Sequence, residues 1–135
     1  MSQRTFAIIK PDAVEARHIG DIVARYERAG LGIVAMELRA IAPEFADRHY
    51  VEHVGRDYYE PLREFMTSGP LVAMVLEGED AIVRVRSLHG VTDPTKACPG
   101  TIRADFAEST RRNAVHASDS PESAASEIAL WFPGL

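Results

Sequence analysis

The chain has 135 residues, 46 % of them apolar, with a formal net charge of −5 and a pI near 5.5. That is the length of one ordinary domain, with enough apolar residues for a real core. The acidic balance speaks against broad nucleic-acid binding, where a basic surface supplies most of the affinity, but leaves room for a small anionic ligand. The single cysteine, Cys98, excludes an intrachain disulfide and points to a reducing compartment. Met1 to Lys10 lacks the pattern of a secretory signal. No run approaches the ~18 apolar residues of a membrane span. A soluble, cytoplasmic protein is the expectation.

Residues 4–10, Arg-Thr-Phe-Ala-Ile-Ile-Lys, read as a buried strand that Pro11 stops. Over residues 19–29, Ile19, Ile22, Val23 and Tyr26 recur at helical spacing, and Gly30 supplies the stop. Residues 31–39 alternate and predict a half-buried strand with Val34, Met36 and Leu38 on one face. Two short helices follow over residues 43–53 and 58–68, with Phe45 and His49 on a face of the first and Leu62, Phe65 and Met66 on a face of the second. Ser68-Gly69-Pro70 breaks the chain before residues 71–76, the most apolar run and a central strand. Residues 80–88 read as a helix closed by Gly90.

From Gly90 to Arg112 no periodicity is sustained. A loop of that length is uncommon in a compact domain and is usually functional or disordered. Its Arg103, Arg111 and Arg112 favour function. Residues 113–117 fit a short strand, and residues 121–131 a last helix with Ser120 as N-cap and Pro121 at the first position. The order contains β-α-β-β-α-β. The fold class expected is α+β, ferredoxin-like: a four-stranded antiparallel sheet covered by helices as an α/β sandwich, with a long loop before the last strand. Residues 1–135 form one domain in this reading.

The chemistry begins at Asn113-Ala-Val-His-Ala-Ser-Asp-Ser120. His116 ends a short apolar strand just before a hydroxyl-rich helix start. Local hydrogen bonds alone would account for such a histidine. Glu127 changes the weighting, because Ala124, Ile128 and Trp131 put it on or beside the apolar face of the last helix. A carboxylate there either reaches water from an edge position or orients an imidazole. Lys10, Arg86 and Arg103 all fall at element ends. Each alone reads as a solvated charge, whereas together they suit phosphate oxygens. There is no GxxxxGK[ST] or GxGxxG loop and no kinase catalytic-loop motif. His49 and His53 are four apart, but no third ligand is evident, so no protein-held metal site is expected.

These residues resemble the nucleoside diphosphate kinase family from Arg4 to Phe132. The motifs that carry the resemblance are Ile9-Lys10-Pro11-Asp12, His49-Tyr50, Ser68-Gly69-Pro70, Thr92-Asp93-Pro94, Pro99-Gly-Thr-Ile-Arg103 and the His116 segment. The resemblance implies a ping-pong reaction. A nucleoside triphosphate would phosphorylate His116, and the phosphohistidine would pass the group to a nucleoside diphosphate. It also implies phosphate and ribose contacts for Lys10, Arg86, Thr92, Arg103 and Asn113. Support of the histidine falls to Tyr50, Glu127 and Ser118, and base stacking to Tyr58. Mg2+ would arrive bound through the nucleotide phosphates. A homo-oligomer is implied, a hexamer first and a tetramer as alternative, with no membrane or specific nucleic-acid partner. Ala13, Ala117, Tyr58 and Arg111 depart from the commoner family residues. The rival reading is a ferredoxin-like nucleotide- or nucleic-acid-binding module without catalysis, which an RNA-binding form would mark by a basic face and sheet aromatics.

Overall fold

The first strand frames the molecule. In the structure, a computed structural model describing residues 2–135, β1 spans Ser2–Ile9 and is buried from Thr5 onward. Successive side chains of a strand point to opposite faces, so a strand buried on both needs apolar residues throughout. Phe6 and Ile8 enter one core, with Tyr59, Met66 and Trp131. Ala7 and Ile9 enter the other, with Ile22, Tyr26 and Val85.

The remaining elements are α1 (Pro11–Glu15), α2 (Ile19–Arg28), β2 (Gly32–Arg39), α3 (Pro43–His49), α4 (Tyr59–Met66), β3 (Leu71–Glu79), α5 (Ala81–His89), α6 (Ile102–Phe106), β4 (Val115–Ala117) and α7 (Pro121–Trp131). The sheet order is β2-β3-β1-β4 and every pairing is antiparallel. This is the expected ferredoxin-like arrangement, with helices on both faces. No helix among the described residues is long and apolar enough to cross a membrane.

Four expectations needed correction. Pro11 does not merely end β1; it occupies the first turn of α1, where its missing N–H costs nothing. Lys10 is therefore the N-cap residue, just beyond the strand. On β2, a register shift between Ile33 and Ala35 pairs Met36 with Met74 and Leu38 with Val72, on the face of the first core but at the sheet edge. Those two side chains are 51 % and 60 % exposed, not half-buried. The first of the two short helices stops at His49, four residues early. Finally, the long loop contains α6, whose N-cap Thr101 accepts from the Ala104 amide.

Candidate active site

The placement of His116 follows from strand alternation. Val115 and Ala117 point into the core beneath α2 and α5. His116 between them must point to the other face, where its ring lies 6.2 Å from that of Phe6. Helix α7 crosses that face and buries Ala124 and Trp131, which brings Glu127 alongside. The carboxylate Oε2 lies 3.0 Å from His116 Nε2, and the Ser118 hydroxyl donates a short hydrogen bond to Oε1. Burial alone would push the Glu127 carboxyl up. The hydrogen bond and charge of His116, with the Ser118 hydroxyl, outweigh it and hold the group below its ordinary value. An ionised carboxylate only accepts. In its neutral form His116 therefore carries its proton on Nε2 and keeps a lone pair on Nδ1.

The backbone before His116 is held in an unusual form. Ala114 has φ 73°, the left-handed region, which costs a non-glycine residue roughly 1–2 kcal/mol. Two bonds keep it there. Lys10 N donates to Ala114 O at 2.8 Å, and Ala114 N donates to Asp12 Oδ2 at 3.0 Å. The segment that follows Ile9 thus fixes the direction in which β4 starts.

The cations converge as well. Lys10 is 7 % exposed, and its Nζ donates to Asn113 Oδ1 at 2.8 Å. Burial first, then the Arg103 charge, push its pKa down to about 8 against the pull of Asp12. Arg103 donates to the carbonyls of Gly90 and Val115 at 2.9 and 2.8 Å, while its buried Nε has no partner among the described residues. Burial and then Arg86 lower its proton affinity. Arg86 lies 3.5 Å from the Ala117 carbonyl. Among the described residues, none of these three cations is in an ion pair with a carboxylate. Buried Lys10 and half-buried Arg103 repel each other, Arg86 adds to the positive field at Arg103, and an anion would relieve that cost.

One cavity of about 960 Å³ collects these groups. Lys10, Arg86, Thr92, Arg103 and Asn113 line it on the cationic side, and Tyr50, His116, Ser118 and Glu127 on the other. Tyr50 makes no hydrogen bond to His116. Its buried hydroxyl has no partner among the described residues, and burial, then Glu127 and Tyr59, push its pKa up. Tyr58 is the one site residue not in the wall. It is 47 % exposed, and its hydroxyl meets Nδ1 of His53, a lining residue, at 2.6 Å. Asp12, His49 and His53 had no assigned role in the sequence. The Lys-Pro-Asp and His-Tyr pairs were the signals available for the first two.

A family profile described as nucleoside diphosphate kinase matches residues 3–135. A nucleoside diphosphate kinase of a Nocardioides species is 58 % identical over 135 residues, covering 100 % of both chains. That of Mycobacterium tuberculosis is 55 % identical, covering 99 % of each. The crystal structure of the Aquifex aeolicus nucleoside diphosphate kinase superposes with a TM-score of 0.94 at 47 % identity, covering 98 % of this chain and 96 % of that one. A full-length likeness of this kind, joined to a cationic cavity that ends on a carboxylate-bound histidine, leaves one conclusion: the chain belongs to the nucleoside diphosphate kinase family, and nucleoside diphosphate kinase activity is its function.

Proposed function

We propose that the activity runs through His116 as a covalent carrier in a ping-pong cycle. The observation that carries this is the Glu127 carboxylate 3.0 Å from Nε2, which leaves Nδ1 as the nucleophile. The Nδ1 lone pair attacks the terminal phosphorus of a nucleoside triphosphate. The bond to the bridging oxygen breaks, and the diphosphate leaves with that electron pair. The ring keeps its Nε2 proton, so positive charge develops on the imidazole and Glu127 stabilises it. In the second half, a terminal oxygen of an acceptor diphosphate attacks the same phosphorus and Nδ1 recovers its pair. Phosphoryl transfer asks a protein mainly for positioning and charge stabilisation. In this reading Lys10, Arg86 and Arg103 face the phosphates. Thr92 and Asn113 complete the phosphate and ribose contacts, with Asn113 also holding the Lys10 ammonium in place. Tyr50 and Ser118 support the histidine and its carboxylate. Tyr58 offers a face for the base, and stacking on it tolerates any base.

Mg2+ fits this site only as part of the nucleotide. It is a hard cation that asks for oxygen ligands. The one group of three or more possible ligands among the described residues is His49, His116 and Glu127, two imidazoles and a single carboxylate. The ion would neutralise charge on the phosphates it accompanies. The proposal extends to one kinase domain over residues 1–135, a cytoplasmic setting, and a homo-oligomer: a hexamer, with a tetramer as alternative. Exposed Met36 and Leu38 on the edge strand β2 support a face that another copy covers.

The test is incubation with γ-labelled ATP followed by each diphosphate. Wild type should give an acid-labile, base-stable phosphoprotein that diphosphates discharge. His116→Ala should give neither label nor turnover, a loss of at least ~10⁴-fold. Label retained on His116→Ala would overturn the assignment.

A further inference from the structure

Glu127 is approached by a second imidazole that the cycle above does not use. His49 is the last residue of α3, its side chain 1 % exposed. Its ring stands edge-on to that of His116, with centroids 5.0 Å apart at 80°. Its Nε2 lies 3.7 Å from Oε2 of Glu127, the oxygen that meets His116 at 3.0 Å. These three side chains offer ligand atoms all within 4.8 Å of one another, so a metal site is one reading of the cluster.

Proton accounting decides against that reading. An indole N–H can only donate, and Trp131 Nε1 lies 3.0 Å from His49 Nδ1. Nδ1 is therefore the acceptor, and a neutral ring must carry its proton on Nε2. The ring is neutral, because burial and then the His116 charge outweigh the pull of Glu127 and push its pKa down to about 3. A protonated nitrogen has no lone pair for a metal. Moving the proton to Nδ1 would set two buried N–H groups against each other. Trp131 and Glu127 stand four apart on α7, so one helix face presents a donor to one end of the ring and an acceptor to the other.

We propose that His49 is a positioning residue: Trp131 locks it as the Nε2–H tautomer, and that N–H helps fix Glu127 and, through it, the ring of His116. At 3.7 Å the contact is an N–H dipole against a charge and not a full hydrogen bond. Its effect on rate is correspondingly modest. Glu127 then faces three donors, His116 Nε2–H, His49 Nε2–H and the Ser118 hydroxyl. The inference rests on His116 as carrier and Glu127 as its partner.

Imidazole ¹⁵N spectroscopy reads the tautomer without turnover. His49 should show a protonated Nε2 and an unprotonated Nδ1, unchanged from about pH 8 to pH 5. A protonated Nδ1, or titration in that range, would overturn the proposal. Trp131→Phe keeps a ring but removes the donor. It should mix the two tautomers and slow single-turnover phosphoenzyme formation about 3- to 10-fold, with nucleotide affinity unchanged. His49→Gln puts an amide N–H where Nε2 stood and should keep over about half the wild-type rate, whereas His49→Met should lose about tenfold. Equal losses in the two His49 variants would reduce His49 to a space-filler and sink the idea. Inhibition of wild type by Zn2+ at low concentration, absent in His49→Gln, would establish the metal site instead. A wild type that forms no phosphoenzyme would remove the His116 assignment while leaving the tautomer result standing.

Discussion

Two buried histidines sit on opposite faces of the sheet, and their difference is instructive. His89, on α5, is 1 % exposed, and its Nε2 meets the hydroxyl of Tyr26 at 2.5 Å. Burial first, then Arg103, hold its pKa well below the ordinary value. His49, on α3, is nearly as buried and also neutral. Neither ring is free to titrate near neutrality. What separates them is the group each holds. Tyr26 is fully buried and held far above its usual range by burial, so the His89 pair ends inside the core. Glu127 lines the cavity, so whatever steadies it steadies the site. A buried neutral imidazole becomes functional through the exposure of its partner and not through its own.

The largest expected effect tests what the two have in common. Each histidine is neutral when folded but has an ordinary pKa of ~6.5 when unfolded, so below that pH the unfolded chain binds more protons. Their contribution is complete above pH ~6.5 and is lost as pH falls towards the lowered folded values, by about 1.4 kcal/mol per pH unit for each ring. Urea unfolding should therefore lose about 4 kcal/mol between pH 7 and pH 5, and a flat profile would break the shared premise. His49→Met or His89→Leu should each flatten the slope by about half.

The next effect separates the pair. His89→Leu strands the Tyr26 hydroxyl in the core and should cost about 1–3 kcal/mol at pH 7.5, with the transfer rate per folded molecule unchanged. His49→Met should show the reverse balance, a slower transfer with a smaller loss in the urea midpoint. A lowered rate in His89→Leu would erase the distinction. Ser118→Ala removes another donor from Glu127 and should slow phosphoenzyme formation about tenfold, measured by rapid quench. The smallest effect lies on the cationic side. With its pKa near 8, Lys10 is part-neutral in the empty site at that pH. A phosphate would restore its charge, so calorimetry in two buffers near pH 8 should find uptake of roughly half a proton, lost in Lys10→Met.

Much of this was legible in the chain. The buried apolar run of β1, the Ser120-Pro121 helix start and the Gly90 stop each express a local rule, and each held. So did the arrangement of four strands, because a two-sided apolar β1 leaves few other ways to cover it. The failures were where tertiary context decides. The alternation of β2 says neither that a bulge falls between Ile33 and Ala35 nor that the strand lies at the sheet edge, where Met36 and Leu38 stay exposed. Pro11 is locally both a strand stop and a helix start. At the site, Glu127 was readable as a carboxylate misplaced on an apolar helix face. His49 was not, since its meaning needs Trp131 from a distant helix, 3.0 Å away. Asp12 depended likewise on the left-handed turn at Ala114, 102 positions along the chain.

One chamber collecting all the phosphate-facing cations and the proposed nucleophile has a kinetic consequence. In the proposed cycle, donor and acceptor nucleotides occupy the same space in turn, so each is the other's competitor. On that proposal, a diphosphate that arrives before His116 is charged would block the very triphosphate needed to charge it. Flux should therefore rise and then fall as the diphosphate concentration increases at fixed triphosphate. The ratio of the two pools, and nothing built into the pocket, sets the direction of net transfer.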